Sequence, residues 1–154
     1  MSKFERVDEG NWYVAFKMVE EFLNESPMFN KMPTVSPQVI VEEFTRVVFE
    51  PQRIGVLGYV DEEPAGLLLG RMTTLLFSTG FIAQDILFYV RPKFRSTLLV
   101  KQLVNQFEDW AWSHPECVLV QLTALANVDN ERAATLGERL GFQRVGFVLV
   151  KERQ

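Results

Sequence analysis

Three features of this 154-residue chain predict an α/β (α+β) domain built around a mixed sheet. Apolar residues recur at helical spacing twice within the first fifty residues. Branched and aromatic runs, broken by a tight turn, follow from Arg53 to Val90. From Gly80 onward strand-like and helix-like segments alternate, which implies crossovers beside parallel strands, whereas the earlier hairpin implies antiparallel pairing. The length suits a single domain over residues 1–154.

Each element has its own signal. Phe4 to Val7 reads as a short first strand, with Asp8 as the cap of the first helix. From Asn11 to Asn24, residues Ala15, Phe16, Val19, Phe22 and Leu23 form one apolar stripe. Glu25-Ser26-Pro27 ends that helix, because a residue before proline is pushed out of the helical region. Ser36-Pro37 is a cap followed by proline at the first helical position. Ile40, Phe44, Val47 and Val48 then mark a second amphipathic helix to Phe49, closed by Pro51. Arg53 to Val60 and Ala65 to Thr73 read as a hairpin around Asp61-Glu62-Glu63-Pro64. Gly80 to Val90 reads as a long third strand of that group, stopped by Pro92. Leu99, Leu103, Phe107 and Trp110 mark a helix from Ser96 to Ser113. Cys117 to Thr123 is a buried-type strand. Asn130 to Leu140 is a helix with Ala133, Leu136 and Leu140 on one face, ended by Gly141. Val145 to Val150 is the last strand. The order is β-α-α-β-β-β-α-β-α-β.

Composition excludes several functions. Hydrophobic residues make up 47% and charged ones 23%, so wholesale disorder is out. The single cysteine, Cys117, leaves no disulfide framework or cysteine-based zinc site, and the single histidine, His114, leaves no multi-histidine metal centre. A net charge of −4 argues against nucleic-acid binding through bulk positive charge. The longest uncharged stretch, Met72 to Gln84, is 13 residues, short of the roughly 20 that span a membrane. The opening MSKFERVDEGNW has no apolar core of a secretory signal, so the cytoplasm is the expected compartment. Residues 1–50 hold five Lys/Arg against nine Asp/Glu, whereas residues 51–154 hold eleven of each. The acidic first third is either a solvated helix face or a rim that attracts a cationic partner or amine.

The junction Phe88-Tyr89-Val90-Arg91-Pro92-Lys93-Phe94-Arg95-Ser96-Thr97-Leu98-Leu99-Val100 carries the chemistry. It is a strand, a tight basic turn and a helix start. A helix start offers unpaired N–H groups and partial positive charge, and Arg91, Lys93 and Arg95 add three cations, so the junction suits a pyrophosphate. The alternative is a surface turn with solvated basic side chains.

On these residues the chain resembles the GNAT acetyltransferase superfamily. Val90-Arg91-Pro92-Lys93-Phe94-Arg95 is similar to its strand ending in Val-x-Pro followed by a basic turn. Asn130, Ala133, Leu136 and Gly141-Phe142 match a second signature at the right distance. Glu25-Ser26-Pro27, and Ala83-x-Asp85 leading into Phe88-Tyr89-Val90, resemble bacteriophage and prophage members. The resemblance spans about residues 4–151. It implies a mixed, mostly antiparallel central sheet of six to seven strands with helices on both faces. It implies acetyl-CoA as cofactor, lying between two splayed parallel strands. The pantetheine arm would run along the strand of Phe88 and Val90. The pyrophosphate would sit on the amides of Arg95, Ser96, Thr97, Leu98, Leu99 and Val100, and Asn130 would touch the cofactor.

Three departures from the family pattern stand out. The loop run Ser96-Thr97-Leu98-Leu99-Val100 has no glycine, where the family's glycines let backbone approach phosphate. The frequent tyrosine general acid is Gly137 here. The strand carboxylate, often Glu, is Asp85.

Asp85 has apolar neighbours, Ile82 and Ile86 to Phe88. Burial would raise its pKa and make it a base near neutral pH. Alternatively it is a strand carboxylate capped by hydrogen bonds or paired with an arginine. His114 reads as a capping or solvated residue, and Cys117 and Trp110 as core. Trp112 sits two residues from Trp110 and so faces another way. The pairs Glu20-Glu21, Glu42-Glu43 and Glu62-Glu63 read as solvated surface. The resemblance implies an N-acetyltransferase that moves an acetyl group directly to an amine of a small molecule or protein. The alternative is a catalytically weak GNAT scaffold that binds a host protein, in the host cytoplasm if phage-encoded. The edge after the last strand is a place where a homodimer or a partner protein could pair.

Overall fold

The structure is a computed structural model that describes residues 1–26, 29–30, 35–123, 130–146, 151 and 153. The elements are β1 (Ser2–Arg6), α1 (Trp12–Glu25), α2 (Pro37–Phe49), β2 (Arg53–Val60), β3 (Glu63–Thr74), β4 (Phe81–Val90), a 3-10 turn (Pro92–Phe94), α3 (Thr97–Trp112), β5 (Cys117–Gln121) and α4 (Asn130–Arg139). The strands lie in the order β1-β2-β3-β4-β5. Every neighbouring pair is antiparallel except β4 and β5, which are parallel. The mixed, mostly antiparallel sheet is as expected.

The strand count differs from the expected six to seven. The sheet has five strands among the described residues. Of the expected last strand, Val145 and Gly146 adopt no regular structure and residues 147–150 lie outside the described residues. β5 is thus the edge strand among the described residues, with Val118 and Leu119 exposed.

Alternation along the strands buries both faces of the sheet. On one face Val56, Leu68, Ala83 and Val90 pack against Leu99, Leu103, Phe107 and Trp110 of α3. On the other, Leu57, Leu67, Leu69, Leu87 and Tyr89 meet Met18 and Phe22 of α1 and Phe44 and Val47 of α2. Each such side chain, fully buried, contributes about 1.5–3 kcal/mol. α3 sits close on β3 because two positions carry no side chain. A Cβ at Gly70 would stand 2.4 Å from Phe107 Cε2, and one at Gly66 would stand 2.7 Å from Leu103 Cδ1.

Local chemistry sets the element ends. Asp8 acts one turn before the helix: its Oδ1 accepts the Gly10 and Asn11 amides at 2.8 and 3.1 Å, and Asn11 is the capping position of α1. The hairpin turns on Asp61 and Glu62 alone, with φ of 48° and 65°, the two-residue geometry whose twist suits flanking strands. Among the described residues no helix is long and apolar enough to cross a membrane.

Candidate functional site

The parallel pair β4–β5 is registered from Phe81↔Cys117 to Gln84↔Gln121 and stops there. β5 ends at Gln121, but β4 continues to Val90, still paired with β3 on its other side. The two strands therefore part after Gln84. Among the described residues no strand pairs with this edge of β4 from Asp85 to Val90, and it forms one side of a wedge. At the fork β4 also bulges: Leu69 opposes Leu87 and Gly70 opposes Asp85, which leaves Ile86 as the extra residue. Such bulges re-aim neighbouring side chains.

Asp85 sits at the fork, 5% exposed. Its Oδ1 accepts the Thr123 amide at 2.6 Å and the Thr123 hydroxyl at 2.9 Å, tying the diverging chain after β5 to β4. Burial pushes its carboxyl up to about 6, and the two Thr123 bonds pull the other way. A cavity of about 50 Å³ lies beside it, lined by Phe22, Phe29, Ile86, Leu87, Phe88 and Thr123. Among the described residues its hydrogen-bond partner is thus a threonine and not an arginine.

The basic turn is less open than its sequence suggests. Arg91 spends all three guanidinium nitrogens: Nε and Nη2 bind Glu21 at 2.8 and 2.7 Å, and Nη1 binds the Pro64 carbonyl at 2.7 Å. Lys93 pairs with Glu63 at 2.6 Å. Arg95 donates from Nε to the Val90 carbonyl at 3.0 Å and from Nη2 to Glu25. In each acid pair read as solvated surface, the second member is instead bound to a base: Glu21 to Arg91, Glu43 to Arg53, Glu63 to Lys93. That corrects the reading for Glu21 and Glu43, whose carboxylates are part-buried; the Glu63–Lys93 pair stays on the exposed surface. Glu20 and Glu42 are exposed as expected.

The helix start has the geometry for an anion. No residue from Arg95 to Val100 has positive φ, so the glycine-free run is unstrained. Ser96 caps α3 by accepting the Leu99 amide at 3.3 Å, and the Val100 amide reaches the Ser96 carbonyl at 3.2 Å. The amides of Thr97 and Leu98, in the first turn, have no intrahelical acceptor. Leu99 is 2% exposed in the α3 core, with Val100 packed beside it, while Leu98 is exposed. Phe88 is half-buried and Val90 buried on that same face. The Thr97 side chain lies outside the described part of the chain. Asn130 opens α4, and its side chain likewise lies outside the described part.

Other expectations settle simply. Cys117 and Trp110 are buried, and Trp112 is exposed. The His114 Nδ1 lies 2.9 Å from the Trp110 carbonyl and closes the end of α3. Leu136 and Leu140 are half-buried, but Ala133 on the same helix is exposed. Gly141 has φ +94°, as a helix-ending glycine should. Sequence reasoning passed over Glu21, Glu25 and Thr123. The first two had a signal: Glu21 and Glu25 are four apart, as are Arg91 and Arg95. Thr123 had none, because only the parting of the strands brings it to Asp85.

The geometry is thus a sheet whose parallel strands part beside a helix start, with a buried carboxylate where they part. Residues 16–142 match the model of the acetyltransferase (GNAT) family, and the chain belongs to that family. The structure resembles AAC(6')-Iy in complex with the bisubstrate analogue CoA-S-monomethyl-acetylneamine, with a TM-score of 0.77 and 11% identity over 100% of this chain and 99% of that one. It resembles a predicted acetyltransferase with acetyl-CoA from Clostridium acetobutylicum, with a TM-score of 0.76 and 11% identity over 99% and 96%. It also resembles glucosamine-6-phosphate N-acetyltransferase from Arabidopsis thaliana, with a TM-score of 0.73 and 13% identity over 100% and 99%. At these identities the likeness is one of fold. Among curated proteins no sequence matches the chain. The narrower resemblance to bacteriophage members has no counterpart among these relatives.

Proposed function

We propose that the protein is an acetyl-CoA-dependent N-acetyltransferase that uses the wedge between β4 and β5 as its donor site. The observation that carries this reading is the parting of the strands at Gln84↔Gln121, beyond which the β4 edge has no strand partner among the described residues. The residues present fit the cofactor. The main chain of Phe88 and the amide of Val90, whose carbonyl already accepts from Arg95 Nε, offer strand-type hydrogen bonds to an amide-bearing arm. The open amides of Thr97 and Leu98 suit a pyrophosphate, with Leu99 and Val100 turned into the core. Asn130, the first residue of α4, matches the family asparagine that touches the cofactor.

When bound, acetyl-CoA supplies the activated acyl group. The chain's own residues do the rest. Main-chain amides of β4 polarise the acyl oxygen, as in an oxyanion site. The Asp85 carboxylate takes the proton of the attacking amine, directly or through a water. Its raised pKa, about 6, keeps it ionised at neutral pH yet basic enough to hold that proton. With Gly137 where the family's tyrosine commonly stands, the proton that the leaving thiol needs would come from water or another residue. Several similar structures are named for enzymes acting on amino sugars, so aminoglycosides and hexosamine phosphates lead the panel of amines to try.

Calorimetric titration with CoA, followed by thiol release from acetyl-CoA across that amine panel, tests the proposal. Micromolar binding and amine-dependent release are expected. A second reading draws on the neutralised basic turn: a GNAT scaffold that docks onto another protein. No heat with CoA at millimolar concentration would select it.

A further inference from the structure

The three cations of the turn look alike in sequence, but their bonding separates them. Arg91 has no nitrogen to spare, since all three are bonded to Glu21 and Pro64. Arg95 is held at two nitrogens, Nε by the Val90 carbonyl and Nη2 by Glu25, and its Nη1 has no partner among the described residues. Its side chain is 34% exposed. Glu25 is the last residue of α1. Its carboxylate lies near buried Tyr89, whose phenol is pushed up to about 12, first by burial and then by that carboxylate. Tyr89 in turn meets Phe22 edge-on, with ring centroids 6.0 Å apart. The guanidinium is thus locked from two sides, at the end of β4 and one residue before the Ser96 cap.

We infer that Glu25 is a positioning residue for the donor. It fixes the Arg95 fork so that Nη1 alone faces the phosphates of acetyl-CoA, while Arg91 and Glu21 only strap the turn to α1. A pre-set guanidinium loses little rotamer freedom when it binds, and that raises affinity. Simple charge counting gives the opposite sign. Glu25 is an anion beside an anion site, and its removal should then tighten binding.

This inference rests on the donor-site reading above. The test is a double-mutant cycle of CoA affinity measured by calorimetry, with Glu25→Gln, Arg95→Gln and both together. Arg95→Gln is expected to weaken CoA binding about tenfold or more. Glu25→Gln is expected to weaken it several-fold. The double variant should match Arg95→Gln within about twofold, because Glu25 acts only through Arg95. Glu21→Gln, which cuts the other strap, should melt lower yet bind CoA as the wild type does. Glu25→Asp keeps the charge on a shorter arm and should fall between wild type and Glu25→Gln, which serves if the Gln variant does not fold. Equal or tighter binding by Glu25→Gln, or independent losses in the double variant, overturns the positioning role and leaves the donor site standing. A wild-type protein that does not bind CoA brings down the donor site, and this inference with it.

Discussion

Replacing Asp85 with Asn keeps the shape of the side chain and removes its charge. Its oxygen can still accept the two Thr123 bonds. The wild-type carboxyl is raised from an ordinary 3.8 to about 6, mainly by burial. A raised pKa means the folded state holds a proton that the unfolded state has released. Wild-type stability therefore declines as pH climbs from about 4 to about 6 and is level above that. The shift of about 2 units is worth about 3 kcal/mol, and with Asp85 only 5% exposed little of it is screened. The Asn variant lacks this slope. Its stability at pH 8 relative to pH 4 should exceed the wild type's by about 3 kcal/mol, or some 6–12 °C in Tm for a chain of this size. Acetyl transfer should fall by about 10²–10⁴ if Asp85 is the base. The wild-type rate should rise through about pH 6, before the rise due to deprotonation of the acceptor amine. Thermal melts and initial rates between pH 4 and pH 9 check both arms. Melts of the two proteins that track each other across this range would refute the buried-charge argument. A variant with the wild-type rate at every pH would remove Asp85 from the chemistry.

Two further predictions share the same geometry. Thr123→Val removes the hydroxyl that donates to Asp85 at 2.9 Å and leaves the 2.6 Å amide bond, so the Asp85 pKa should climb further, by up to about one unit. An unmoved inflection in the pH–rate profile would show that the hydroxyl bond is of no consequence. Gly70→Ala places a Cβ 2.4 Å from Phe107 Cε2 at the α3–β3 contact and should cost about 1–3 kcal/mol, read as a lower urea midpoint. An unchanged midpoint would mean that α3 is not seated so closely.

Where local chemistry decides, the sequence is a good guide. Ser36-Pro37 opens α2 at Pro37, and Pro51 follows its end at Phe49. The apolar spacing of Leu99, Leu103, Phe107 and Trp110 does predict the buried stripe of α3. Asp8 is a near miss. Its carboxylate does satisfy amides, but in a turn ahead of α1, because Asn11 follows three residues later and takes the capping position. Asp85 was legible as a buried acid from its apolar neighbours. Its tether was not, since Thr123 reaches it only where β5 leaves the register of β4. The expected exposure of the acid pairs holds for Glu20 and Glu42 and fails at Glu21 and Glu43 for a related reason. A carboxylate on a helix face looks the same in sequence whether water or a distant guanidinium sits opposite.

The uneven charge of the chain takes its meaning from that last point. The acidic excess of the first fifty residues is largely an internal matter. Glu21 and Glu25 neutralise Arg91 and Arg95, and Glu43 and Glu50 neutralise Arg53. The first third is therefore a set of counter-ions for the second two thirds more than a rim awaiting a cation. The same pairing limits the basic turn. Its three charges cannot all serve a diphosphate, because each already has a carboxylate partner. What is left for an anion is directional: the Thr97 and Leu98 amides, the partial charge of the helix start and one nitrogen of Arg95. A seat of that kind selects by geometry more than by bulk charge. It has no need of loop glycines so long as the backbone stays helical; Leu99 and Val100 turn inward, while Leu98 is exposed beside the seat.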